Sequence, residues 1–229
     1  MVKFIFGNSL WQLIKQSDVV TKSVLLILVV MSIICWAIFF YKLILLRIKK
    51  RELESALVDM EQVMSMDKLL AVTATHTKTL PGYFLSRNLL RLKTLLASSP
   101  DKRRLNDREC EFMNNHIAQT TEELIANEES YLSVLSTTAA ASPLLGLFGT
   151  VWGLVHAFIR ISELRTADIT TVAPGISEAL ITTLAGLMVA IPVLVMYSYL
   201  SSQLRYVEQL FMKLGDRVAF VVQSLCHQD

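Results

Sequence analysis

Charge is scarce in this sequence of 229 residues: Asp, Glu, Lys and Arg together make up 18% of it, against about 25% in an ordinary soluble domain. Hydrophobic residues make up 53% and mean hydropathy is +0.47, so a purely soluble protein is not expected. The formal net charge of +2, with basic and acidic residues interleaved, is too small for a sequence-wide electrostatic hold on nucleic acid. Cysteine is equally sparse. Cys35, Cys110 and Cys226 lie far apart without CxxC or CxxH spacing, which suggests neither a disulfide framework nor a zinc site and leaves reduced thiols as the expectation. GxSxG, HExxH, GxxxxGK[ST] and post-strand GxGxxG motifs are missing, and the four histidines are isolated. The sequence therefore suggests no enzyme class, no metal site and no cofactor.

What is present is uncharged length. Ser23 to Tyr41 carries no charge, and Leu43 to Leu46 extends the apolar run; Ser130 to Ile159 and Ala179 to Leu204 are also free of charge. Each is long enough to cross about 30 Å of hydrocarbon. The first run starts too deep for a signal peptide, lacks a small-residue cleavage site and is followed by a basic cluster, so it is expected to remain as an anchor. The fold class expected is therefore all-α, an integral membrane protein with three transmembrane helices at 23–46, 130–159 and 179–204.

Lys42, Arg47, Lys49, Lys50 and Arg51 all follow the first run. Cytoplasmic flanks are enriched in Lys and Arg, which places 47–129 in the cytoplasm and segment 1–22 outside. The loop 160–178 is then external and the tail 205–229 internal. Between Lys42 and Arg108 lie 14 Lys and Arg, nearly matched by 13 Asp and Glu between Glu52 and Glu129, so 47–129 reads as solvated, packed helices. Pro81-Gly82 is the clearest break. Ser98-Ser99-Pro100-Asp101 reads as a helix start, with serine as N-cap, proline in the first turn and an anion near the positive end. No breaker follows until Pro143, so helix two is expected to run unbroken from the cytoplasm into the membrane. Beyond the third span, Leu204, Val207, Phe211, Leu214, Val218, Val221 and Leu225 recur every three or four residues, the seam of a helix packed on other helices. Helices two and three are thus expected to extend into the cytoplasm.

The second span aligns Ala139, Ser142, Gly146, Gly149 and Gly153 on one helix face, and the third aligns Ala179, Thr183, Gly186 and Ala190. In a bilayer no hydrophobic force drives helices together, so small faces serve close backbone contact. They pair the two helices of one chain, or in addition line a subunit interface or cavity. Neither span contains Asp, Glu, Lys or Arg, although membrane proton relays usually need an ionisable group near mid-depth. If protons are handled, a partner must supply the carrier. Thr150 and Thr183 lie at the small faces and can bond an inserted carboxyl group, or the carbonyl three or four residues back in their own helix. Glu178, four residues beyond Pro174-Gly175, either complements a helix dipole or marks the outer mouth of a pathway. His156 is an interfacial side chain or a relay. Trp11, Trp36 and Trp152 read as interface or packing aromatics.

Ala141-Ser142-Pro143-Leu144-Leu145-Gly146-Leu147-Phe148-Gly149-Thr150-Val151-Trp152-Gly153, followed by Val172-Ala173-Pro174-Gly175-Ile176-Ser177-Glu178-Ala179-Leu180, closely resembles the TolQ/ExbB/MotA proton-channel family. His156-Ala157-Phe158 and Ser32-Ile33-Ile34-Cys35-Trp36-Ala37-Ile38 resemble its TolQ branch more than its ExbB branch. The resemblance implies a bacterial inner-membrane subunit with a periplasmic N-terminus and a cytoplasmic C-terminus. It implies a homopentamer around a dimer of single-span TolR-like subunits, whose membrane aspartate carries the proton, and a TolA-like transducer. Thr150 and Thr183 match the family's pore threonines and Glu178 its acidic position. Thr182 is a departure: alanine is expected there.

Overall fold

The computed structural model describes residues 18–61, 63, 66–98, 105–164 and 169–226. Six helices, with no strand among the described residues, follow in order: α1 Val19–Glu61, α2 Met66–Thr75, α3 Leu80–Ser98, α4 Asp107–Glu129, α5 Leu132–Leu164 and α6 Ile169–Cys226. Three stretches are long and apolar enough to cross a membrane: Val19–Glu61, Leu132–Glu163 and Val172–Gln223. At 1.5 Å per residue the 43 residues of α1 extend about 65 Å and the 58 of α6 about 87 Å. Both exceed a hydrocarbon layer about twofold or more. Extension past the apolar run is thus a property of the first helix as well as the third.

Contacts divide the chain into two compact units, one from residues 1–40 and 131–199, the other from 41–130 and 200–229. We call them the apolar unit and the charged unit. In the apolar unit the interior holds small and mid-sized residues, including Leu28, Cys35, Ser142, Ala157, Ala179, Thr182 and Val193, while Ile33, Leu144, Phe158, Leu180 and Met188 lie on its surface. Large side chains outside and small ones inside invert the usual globular pattern, as expected of helices solvated by lipid.

The charged unit packs conventionally. Leu204, Val207, Phe211, Leu214, Val218 and Val221 are buried, so the three-four repeat is the packed seam that its spacing predicts; Phe211 meets Phe84 edge to face with ring centroids 6.0 Å apart. The break at Pro81-Gly82 is a helix start. Thr79 caps it by accepting the Gly82 amide at 3.4 Å, and a methyl group on Gly82 would lie 1.7 Å from the His76 carbonyl oxygen, so only glycine fits.

Helix two differs from the expectation. Residues 99–104, with most of the Ser98-to-Asp101 signal, lie outside the described residues, and α4 begins later, at Asp107. Asn106 caps it, its side chain accepting the Asp107 amide at 2.7 Å while its own amide donates to Glu109 at 2.9 Å. This is a capping box, Asn106-x-x-Glu109. At Ser130-Tyr131 a turn separates α4 from α5. Ser130 keeps helical angles (φ −50°, ψ −37°), and its hydroxyl donates to the Asn127 carbonyl at 3.1 Å, a local bond that competes with the helical ladder. Cys35 is a free, buried thiol, whereas Cys110 is disulfide-bonded. Spacing along the chain does not encode a pairing decided by proximity.

Candidate functional site

In the apolar unit the two small faces meet each other. A methyl group on Gly186 would lie 2.6 Å from the Ser142 carbonyl oxygen; on Gly146, 2.9 Å from the Thr182 carbonyl oxygen and 3.0 Å from Thr183 Cα; on Gly149, 2.6 Å from Thr182 Oγ1; on Gly153, 3.0 Å from the Ala179 Cβ. The faces thus pair α5 with α6 inside one chain. Backbone approaches backbone with no room for a β-carbon at Gly146 or Gly186.

That closeness brings hydroxyls onto main-chain oxygens. Thr182, fully buried, donates to the Ala179 carbonyl at 2.7 Å and stands 3.3 Å from the Gly146 carbonyl; Thr183 Oγ1 reaches the same Gly146 oxygen at 3.2 Å. Two adjacent hydroxyls on one carbonyl satisfy polar groups where lipid offers no partner. Thr183 is only half-buried, because it stands at the edge of the seam rather than in it. Thr150, also half-buried, donates to the Leu147 carbonyl of its own helix at 2.7 Å.

Ionisable side chains gather at one end of this unit. Asp18, His156, Arg160 and Glu178 line one pocket together with Thr21, Trp152 and Gly175. Asp18 Oδ2 accepts the indole N–H of Trp152 at 3.0 Å and lies 3.7 Å from His156 Nε2; the indole and imidazole rings lie 5.1 Å apart. The Trp152 bond first, then the Val19 amide, hold the Asp18 carboxyl below the usual carboxylate range, with His156 and Arg160 adding to the pull. Glu178 is not in a helix first turn, since α6 starts at Ile169 and runs through Pro174. The dipole reading of Glu178 therefore fails, because that field fades within the first turn.

The charged unit holds a second cluster. Lys42, 2% exposed, donates to the Glu128 carbonyl oxygen at 2.8 Å and to its Oε2 at 3.1 Å, and Lys49 donates to Oε1. Burial alone pushes the Glu128 carboxyl up, but the Lys49 and Lys42 ammoniums together bring it below its ordinary value. Sequence reasoning used Lys42 only as a marker of orientation and passed over Asp18 and Glu128, because their partners lie 134 and 86 residues away.

The MotA/TolQ/ExbB proton channel family matches residues 77–213, which take in α3 and α4, all of α5 and most of α6. The chain belongs to that family. The biopolymer transport protein ExbB of Salmonella typhimurium is 32% identical, over 86% of this chain and 79% of its own length. The Tol-Pal system protein TolQ of Haemophilus influenzae is 32% identical, over 85% of each chain, and that of Pseudomonas aeruginosa 30%, over 86% of this chain and 84% of its own. Relatives named for each of the two systems are thus about 30% identical to this chain. The family is one of proton channels, and the α5/α6 seam with its glycines and hydroxyls lies wholly within the matched segment.

Proposed function

We propose that this chain is the TolQ-like, three-span subunit of an inner-membrane motor driven by the proton-motive force. Five copies surround a dimer of single-span TolR-like subunits, and a TolA-like transducer carries the motion to the outer membrane, maintaining its integrity and serving cell division. Segments 1–22 and 160–178 face the periplasm, and segments 47–129 and 205–229 face the cytoplasm. The observation that carries this reading is the α5/α6 seam: it offers hydroxyls and carbonyls but no carboxylate, so the proton carrier comes from the partner.

Thr150 and Thr183 supply the wall against which the partner's carboxyl changes protonation state, and Glu178 stands at the outer mouth. The half-buried position of Thr183 leaves it able to meet an inserted side chain, whereas Thr182 is consumed by the contact between α5 and α6. Gly146, Gly149, Gly153 and Gly186 hold that wall in place. A proton moving down 100 mV releases about 2.3 kcal/mol, enough to bias such a change.

Proton flux in proteoliposomes tests the motor: we expect little flux from this chain alone and flux upon co-assembly with the single-span subunit. Absence of flux from the assembled complex overturns the proposal. An ExbB-type role in energising TonB-dependent uptake is the second reading, favoured by the similarity to ExbB; the partner that copurifies from native membranes separates the two. Impermeant cysteine labelling tests the topology, with Asn8 and Ala167 expected outside and Lys68 and His227 inside. Asn8, Ala167 and His227 lie outside the described residues.

A further inference from the structure

Among the described residues of the apolar unit, His156 is the one ring that combines a facing carboxylate with an unsatisfied nitrogen. Its Nε2 stands 3.7 Å from Asp18 Oδ2, while its Nδ1 is buried without a hydrogen-bond partner. Asp18 cannot swing freely, because the Trp152 indole N–H holds the same oxygen at 3.0 Å. Among the described residues, the other charged groups lining the same pocket are Arg160, one turn along α5, and Glu178 from α6. Buried polar atoms are almost always paired, so an orphan calls for an explanation.

We propose that His156 and Asp18 form a proton-loading pair at the outer end of the pathway, where one proton binds the imidazole before it reaches the partner's carboxylate. With Nε2–H directed toward Asp18, the bare Nδ1 is the basic nitrogen and the atom the proton occupies. Binding converts the neutral ring to imidazolium opposite a carboxylate, and release restores it, so no net charge accumulates over a cycle. This pairing deepens the proton-motor reading and rests on it.

The test is proton flux through the full chain co-assembled with its single-span partner in proteoliposomes, measured with an internal pH dye while outer pH is stepped from about 5 to 8, the range in which histidine titrates. With inner pH stepped in parallel so that the proton gradient stays constant, wild-type flux should vary with pH along a titration curve, and His156→Gln should lose that dependence. Asp18→Asn keeps an oxygen for the Val19 amide and the Trp152 indole but removes the charge. Its flux profile should depart from that of wild type. A flat wild-type profile, or profiles of wild type and Asp18→Asn that superimpose, overturn the proposal. If His156→Gln does not assemble, the Asp18→Asn comparison decides alone. Absence of wild-type flux at every pH overturns the motor itself, and this pair with it, whereas normal flux with unmoved profiles overturns only the pair.

Discussion

Each of the two units is packed internally by means opposite to the other's. In the apolar unit, helices approach until glycine backbones touch, and the polar groups along that seam are threonine and serine hydroxyls bonded to carbonyls, as Ser142 is to Thr138 at 2.8 Å. In the charged unit, bulky apolar side chains such as Phe84 and Phe211 fill the seam, and a lysine 2% exposed is paired with a carboxylate. The difference follows from solvent. Water rewards burial of large apolar groups, whereas a bilayer is as apolar as leucine and rewards only close fit and satisfied polar atoms.

Breaking the charged unit's cluster should have the largest effect. Glu128→Ala leaves two ammoniums in a largely buried site without their carboxylate, and removal of one partner from a buried pair costs about 3–5 kcal/mol. Thermal unfolding of the detergent-solubilised chain should show a large loss in midpoint. A change no larger than that of a surface substitution would mean the cluster is solvated.

Glycine substitutions sharpen the contrast. Gly186→Ala forces a methyl group against the Ser142 backbone, which cannot rotate away, and overpacking of this kind costs about 1–3 kcal/mol. In the charged unit, Gly215→Ala meets the Ile117 Cγ2 at 3.2 Å, a side-chain atom that can yield, and alanine gains up to about 1 kcal/mol of helix propensity. We expect Gly186→Ala to lower assembly yield and Gly215→Ala to leave stability within about 1 kcal/mol of wild type. Equal tolerance at both positions would erase the distinction.

The threonines should separate stability from function. Thr182→Ala removes a buried hydrogen bond, about 1 kcal/mol, and should lower the unfolding midpoint slightly while proton flux persists. Thr183→Ala should fold normally and lose flux, and Thr183→Ser should retain more than Thr183→Ala. If Thr182→Ala abolishes flux while Thr183→Ala conducts normally, Thr182 is the pore residue.

The smallest effect is one of pH. The Glu128 carboxyl is lowered in the folded chain, so its stabilisation is present above its unfolded value of about 4.5 and disappears as pH falls through the folded value. Acid unfolding followed by circular dichroism should show this loss in wild type, and Glu128→Gln should flatten it.

Much of this was legible in the sequence. The charge-free runs located three apolar helices, the three-four repeat from Leu204 to Val221 located a buried seam, and the spacings of Gly146, Gly149 and Gly153 on one helix and of Ala179, Thr183 and Gly186 on the next located two small faces, because each is a local periodicity that a helix turns directly into geometry. Boundaries were less legible. Ser98-Ser99-Pro100-Asp101 and Asn106-x-x-Glu109 are both valid helix starts, and sequence alone does not rank them. Glu178 looked like a first-turn anion because Pro174 reads as a helix opening, yet α6 begins five residues before that proline.

Which residue meets which was decided only by tertiary structure. The sequence by itself determined where apolar helices form and which faces are small, since hydropathy and residue volume are properties of single positions repeated at a fixed period. Only the packed helices decided that Thr182 is buried and Thr183 half-buried, that Asp18 holds Trp152 and faces His156, and that Lys42 and Lys49 share Glu128. The strength of those contacts depends on separations of a few ångströms between residues far apart in the chain, and hydrogen bonds and ion pairs fall off too steeply with distance and angle for one-dimensional spacing to specify them.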